Sequence, residues 1–132
     1  MAGFQVLVRS VVAGTTPAAV AASFDPADLV SAIEGMGGDR RYASLVAVQI
    51  DKALKDSRAA AALAELDAVL IGGGPMPAGV AEKASAAGIS VVRTYGMSET
   101  AGGCVYDGVP LDTVNVRAVD GELRIAGPML DR

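Results

Sequence analysis

The sequence predicts an α/β fold: a three-layer parallel-sheet unit over about residues 4–101, followed by the start of an antiparallel β lobe over about residues 102–130. Three observations point there. Short apolar, β-branched runs alternate with helix-patterned segments through the first hundred residues, the rhythm of right-handed β-α-β crossovers. From Gly102 onward the helix pattern stops, and short strands separated by Asp-Gly turn signals take over. The length, 132 residues, suits one hydrophobic core, and a chain of that size buries roughly two-thirds of its unfolded surface.

Residues 6–12, a β-branched apolar run bounded by glycines, are expected to open the fold as a buried strand. A helix follows, with Asp25 at its N-cap, Pro26 at its first position, Leu29, Val30 and Ile33 on one face, and Gly37 and Gly38 as its stop. "YASLVAVQI" reads as a strand passing into a helix, and "KALKDSRAAAALAEL" as further alanine-rich helical turns capped by Ser57. "DAVLIGGG" is the next strand. "MPAGVAEKASAAG" is a helix with Pro77 near its start and Gly88 past its end, and "ISVVRTYG" is a strand again. In the last third, "CVYDG" is a short strand, and Asp120-Gly121 is the turn of a hairpin joining residues 114–119 to 122–126. Cys104, the methionines, Phe4 and Phe24 are assigned to packing, with Tyr42 and Tyr106 buried at strand starts.

Composition narrows the chemistry. Hydrophobic residues make up 52% of the chain, yet Gly, Pro or charge breaks every apolar stretch well short of the ~18 residues a membrane span needs. No basic segment precedes an apolar run at the amino terminus, so a signal peptide is not expected and the cytoplasm is the default address. The net charge of −4, with basic residues scattered, argues against a nucleic-acid partner. There is no histidine and one cysteine, which excludes internal disulfides, Cys/His zinc sites and His-dependent nucleophilic catalysis. Chemistry here must run on carboxylates, hydroxyls and backbone groups, or on residues that lie outside this chain.

Two loops concentrate such groups. "GGGPMPAG" follows a strand and precedes a helix, where α/β sheets hold ligands. It is no dinucleotide fingerprint, because Pro77 stands at the third glycine, and no P-loop, because Val80 and Ala81 replace the lysine and hydroxyl. "TYGMSETAGG" is no hydrolase elbow, since Thr100 replaces the second glycine and no histidine exists to serve as base. It does suit a metal-bound phosphate: the Ser98 hydroxyl can donate to phosphate, Glu99 can hold Mg²⁺, and Tyr95 offers a face to a base. A capping box or a solvated loop would carry the same letters, and the glycines alone are equally compatible with a tight turn.

The order "IGGGPMP", then "TYGMSETAGG", then "GELRIAGPM" resembles the adenylate-forming superfamily of acyl-CoA synthetases, aryl-CoA ligases and peptide-synthetase adenylation domains. Within it, "YASLVAVQI" and "YGMSETAGGCVYDGVPLD" are most similar to the branch that joins o-succinylbenzoate to coenzyme A in menaquinone biosynthesis. The resemblance implies ATP, Mg²⁺ and coenzyme A as cofactor and co-substrates. It places Gly73, Gly74 and Pro75 along the adenine and acyl group, stacks Tyr95 on the base, and lines the cleft with Gly96 and Met97. Ser98 would contact phosphate where threonine is commoner, Glu99 would bind Mg²⁺, and Ser44, Gly72 and Gly102 would face the acyl pocket. Ala47 and Val48 depart from the family's Pro-Thr, and Thr113 stands where glycine is common.

By the same resemblance, residues 1–101 form an α/β subdomain of an AMP-binding domain and residues 102–132 begin its antiparallel subdomain. The family's lysine-bearing triphosphate loop, its ribose-binding aspartate and the domain carrying its adenylation lysine are not among these residues. The chain is therefore expected to be a central fragment, inactive alone and prone to self-association through exposed core surface. The alternatives are another acyl- or aryl-CoA ligase, or a degenerate module that binds nucleotide without catalysis.

Overall fold

A computed structural model describes residues 2–21 and 23–130; Asp131 and Arg132, the end of the expected antiparallel stretch, lie outside the described residues. The chain runs α1 (Ala2–Ala13), α2 (Pro26–Glu34), β1 (Tyr42–Val46), α3 (Ala47–Ala53), α4 (Ser57–Ala64), β2 (Ala68–Gly72), α5 (Val80–Ala86) and β3 (Val91–Met97). A 3-10 turn (Ser98–Thr100) then leads to β4 (Gly102–Tyr106), β5 (Val109–Pro110) and a hairpin of β6 (Asn115–Val119) and β7 (Glu122–Ala126). The α/β class and the antiparallel character of the last third agree with the sequence.

One sheet has the order β1-β2-β3-β4-β5, and β6-β7 form a second. β1, β2 and β3 run parallel, in the register Leu45↔Ile71 and Ile71↔Arg93. β4 then pairs antiparallel with β3, from Thr94↔Tyr106 to Met97↔Gly102, so the stretch after Gly102 first extends the existing sheet and only later forms a separate one. The Asp67 carboxylate accepts from the Arg41 N–H at 2.7 Å while the Asp67 N–H donates to the Arg41 carbonyl at 2.9 Å, a reciprocal tie that aligns the starts of β1 and β2.

The core fills one face of this sheet. Leu45, Val69 and Ile71 alternate along β1 and β2 and meet Ile33, Ile50 and Leu63 from the helices, all buried. Strand residues of the opposite parity are less covered: Tyr42 is 48% and Val46 37% exposed, so the expected burial of Tyr42 is not met. Period-two alternation puts Tyr42 on the same face as Ser44, away from the core.

Residues 6–12 are helix, not strand. A short apolar run fits either state, and as a helix it satisfies its own backbone without joining the sheet, whose β1 edge it leaves unpaired. Gly14, with φ 67°, ends the helix as the left-handed residue, while the Thr15 N–H reaches the Ser10 carbonyl at 2.8 Å. Gln5 and Arg9, one turn apart, point toward β4: Gln5 Nε2 donates to the Ala101 carbonyl and Arg9 Nη2 to the Tyr106 hydroxyl at 2.8 Å. Phe4, Leu7, Val11 and Val12 are exposed.

Helix α2 starts as expected, with the Asp25 carboxylate accepting from the Ala27 N–H at 2.8 Å and Pro26 following, but it stops at Gly35, before Gly37 and Gly38. The cap of α4 is Asp56 and not Ser57: its carboxylate accepts from the N–H groups of Arg58 and Ala59, each at 2.9 Å. Asp56→Ala is expected to destabilise the chain by about 1 kcal/mol, while Ser57→Ala changes stability by less than about 0.5 kcal/mol; thermal melts of both check this. Just past α3, the Lys55 ammonium lies 2.6 Å from Asp51 on that helix and holds its carboxyl below the ordinary range, against the opposing effect of burial. The stabilisation from this pair is present above the unfolded-state pKa of Asp51 and lost as pH falls through the lowered one.

Candidate functional site

The parallel ladder places three strand ends side by side at its carboxyl edge. Val46 pairs with Gly72, and one step past the Ile71↔Arg93 pair Gly72 faces Thr94. Gly72 must lack a side chain there, because a Cβ would sit 2.4 Å from Thr94 Oγ1, while one on Gly73 would meet Val46 Cγ1 at 3.3 Å. The Thr94 hydroxyl donates to the Ile71 carbonyl at 3.3 Å, an unforeseen contact between β2 and β3.

β3 outruns β2. After Thr94 it continues through Tyr95, Gly96 and Met97 paired with β4, projecting about 10 Å beyond the end of β2 at about 3.3 Å per residue. This leaves a step. Its floor is the exposed turn of Gly73, Gly74 and Pro75, and its wall is the end of β3, with Tyr95 42% and Met97 39% exposed. Ser98 and Glu99 sit at the top of the wall, both exposed. Ser44 lies on β1, on the face shared with Val46, and is also exposed. Gly102 stands behind the turn, half-buried, with φ 142° and with Gln5 of α1 packed where a Cβ would be. The structure thus brings residues 72–75 and 95–99 together at one edge, with Ser44 one strand away and Gly102 on the back of the same turn.

Glu99 has no ion-pair or hydrogen-bond partner among the described residues, and no group of three or more His, Cys, Asp or Glu there is arranged to hold a metal. A lone exposed carboxylate fits Mg²⁺ that arrives with phosphate oxygens and waters filling most of its octahedron. It does not fit a resident ion held by protein alone.

Sequence reasoning missed Thr100, weighed there only as a substitute for an elbow glycine. It is buried, 4% exposed, and its hydroxyl accepts from the Met97 N–H at 2.9 Å and lies 2.7 Å from the Gly102 carbonyl. The available signal was a hydroxyl three residues beyond the strand end, the spacing of a side chain that bonds back to a turn. A depression lined by Ala81, Ser85, Ile89, Val91, Arg93 and Asp107 opens beside α5 and contains none of the expected site residues.

Comparison with known proteins bears on this edge. No family model matches the chain. A protein of Mycobacterium tuberculosis described as a probable 2-succinylbenzoate–CoA ligase is 60% identical over 133 residues, covering 98% of this chain and 35% of its own. The chain is a homologue of the 2-succinylbenzoate–CoA ligases. It thereby falls in the adenylate-forming superfamily. A 2-succinylbenzoate–CoA ligase of Geobacillus kaustophilus is 35% identical over 101 residues, 76% of this chain and 20% of that protein. Among solved structures, o-succinylbenzoate coenzyme A synthetase of Bacillus subtilis, in complex with ATP and magnesium ion, superposes with a TM-score of 0.77 over 97% of this chain and 30% of its own, at 22% identity, and so supports the fold. The chain spans about a third of the length of the mycobacterial ligase.

Proposed function

We propose that the chain is the central part of an ATP-dependent acid–CoA ligase that activates o-succinylbenzoate, serving menaquinone biosynthesis. In that reaction a carboxylate oxygen attacks the α-phosphorus of ATP and pyrophosphate leaves. The coenzyme A thiolate then attacks the acyl carbon, and AMP leaves. The observation that carries the reading is the step at the carboxyl edge, where the glycine turn and the end of β3 stand side by side.

On this reading the residues of the step take the roles that the superfamily resemblance implies. Gly73, Gly74 and Pro75 let a flat base and the acyl group approach the backbone, and Tyr95 stacks on the base. Gly96 and Met97 line the wall. Ser98 donates to phosphate, and Glu99 holds Mg²⁺, which neutralises phosphate charge when bound. Ser44 and Gly72 shape the acyl side of the cleft, Gly102 supports the turn from behind against Gln5, and coenzyme A enters as the second substrate. Magnitudes limit what these 132 residues do alone. A charge-assisted hydrogen bond contributes about 1.5–3 kcal/mol and a stacked base about 1–3, against about 4 kcal/mol for millimolar affinity. Removing one donor to developing charge raises a barrier by about 2.7–4 kcal/mol, and several of the superfamily's donors lie outside these residues.

The test is a nuclear magnetic resonance titration of the 132-residue chain with ATP, with and without Mg²⁺. Millimolar binding that shifts Tyr95 and the glycines at 73 and 74, with a Mg²⁺-dependent part lost in Glu99→Gln, is the expected result, together with no detectable ligase turnover. Undisturbed Tyr95 signals at ~10 mM ATP, well above the expected dissociation constant, overturn the nucleotide reading.

A further inference from the structure

We infer that Thr100 is the positioning residue of the turn, fixing residues 97–102 so that Ser98 and Glu99 are held outward over the step. The inference rests on the nucleotide reading of that edge. Thr100 is the one buried polar residue among the described residues, in the middle of the most exposed part of the site. Its single hydroxyl spans the turn: it accepts from the Met97 N–H, where β3 ends, and has the Gly102 carbonyl at 2.7 Å and that of Met97 at 3.0 Å as acceptors for its proton.

The turn it closes is not one the backbone adopts freely. Ala101 is in the left-handed region at φ 55°, disfavoured for a residue with a Cβ, and the Ala101 N–H reaches back to the Ser98 carbonyl at 3.0 Å. Gly102 follows at φ 142°. Ser98 and Glu99 make no side-chain hydrogen bond among the described residues, so their side chains do nothing to hold this shape. The work divides along the sequence: one hydroxyl turned inward supplies rigidity, and two neighbouring polar groups stay free for a ligand. Such advance fixing reduces the ordering a ligand must otherwise impose. A cap that merely satisfies a buried backbone N–H has no reason to influence what Glu99 binds.

The experiment uses the 132-residue chain as wild type, Thr100→Val, Thr100→Ser and Glu99→Gln. Valine keeps the shape and removes the hydroxyl; serine keeps the hydroxyl. Amide hydrogen exchange is followed at Met97, with Val69 as core reference, and ATP is titrated with and without Mg²⁺. Thr100→Val is expected to speed exchange at Met97 about tenfold, as loss of a hydrogen bond of typical net strength does, with Val69 unchanged. It also loses the Mg²⁺-dependent part of ATP binding, as Glu99→Gln does, although Glu99→Gln leaves Met97 protected. Thr100→Ser restores both readouts. Wild-type protection of Met97 in Thr100→Val overturns the inference, and so does faster exchange with Mg²⁺-dependent binding intact, which would leave Thr100 a structural residue only. A wild-type chain that binds no ATP sinks the nucleotide reading and with it the ligand side of this inference, while the exchange at Met97 separately decides whether Thr100 holds the turn.

Discussion

Gly96→Ala is expected to lower the melting temperature sharply and to detach the end of β3 from β4. A Cβ at this position would lie 1.9 Å from the Gly102 carbonyl oxygen, 2.6 Å from its carbon and 2.8 Å from Gly103 Cα. All three atoms are backbone, so no side-chain rotation relieves the contact; either the register shift between Tyr95 and Gly96 is lost or β4 moves away. Overpacking of this kind costs about 1–3 kcal/mol, and more where backbone must shift, against a total stability of about 5–15 kcal/mol. Gly37→Ala is the control, since its added methyl meets nothing within 4 Å and its φ is not positive; it should melt as wild type does. Equal melting temperatures for the two variants would mean that β3 and β4 do not approach as described.

Leu63→Ala is expected to cost about 2–5 kcal/mol, enough to leave a substantial part of the chain unfolded at room temperature if its stability is near the low end of the usual range. Leu63 lies on α4 with no exposed surface, among Ile33, Ile50 and Val69, which are also sealed or nearly so. Helices and strands enclose that space from several directions, so its walls cannot collapse into the vacancy cheaply. Urea denaturation should show a lower midpoint with the slope unchanged. Leu123→Ala, on the outer hairpin at 59% exposure, should move the midpoint by less than about 0.5 kcal/mol equivalent. Similar losses in the two variants would show that the core is not centred where Leu63 sits.

The elements legible in advance were those whose local chemistry and wider environment agree. Asp25-Pro26 marks a helix start by capping and by fixed φ, and Asp120-Gly121 adopts positive φ at both residues, the backbone a two-residue hairpin turn demands. The glycine turn after β2 was legible because Gly72 ends a β-branched run, whereas Tyr95, Gly96 and Met97, counted with the second loop, continue β3 as far as Met97. Residues 6–12 were misread because a short apolar run fits strand and helix equally well on its own letters, and Gly14 serves as a boundary either way. Asp56 was passed over for Ser57 because a hydroxyl and a carboxylate in succession both satisfy the capping preference, and only the entry angle of the chain selects between them. Thr100 was missed because it was weighed only against an elbow glycine, although its partners at Met97 and Gly102 lie within three residues of it.

The change of pairing partner along β3 has a consequence for motion. Val91, Val92 and Arg93 are bound into the parallel ladder with β2, whereas Thr94 through Met97 belong to the antiparallel one with β4. The glycine turn therefore follows a strand of the parallel ladder and Ser98 and Glu99 follow the antiparallel pair, the change of partner falling in the middle of a single strand. The outer part is expected to open more readily than the parallel ladder, and a molecule lodged across both would tie them together, stabilising the chain by RT ln(1 + L/Kd), with L its free concentration.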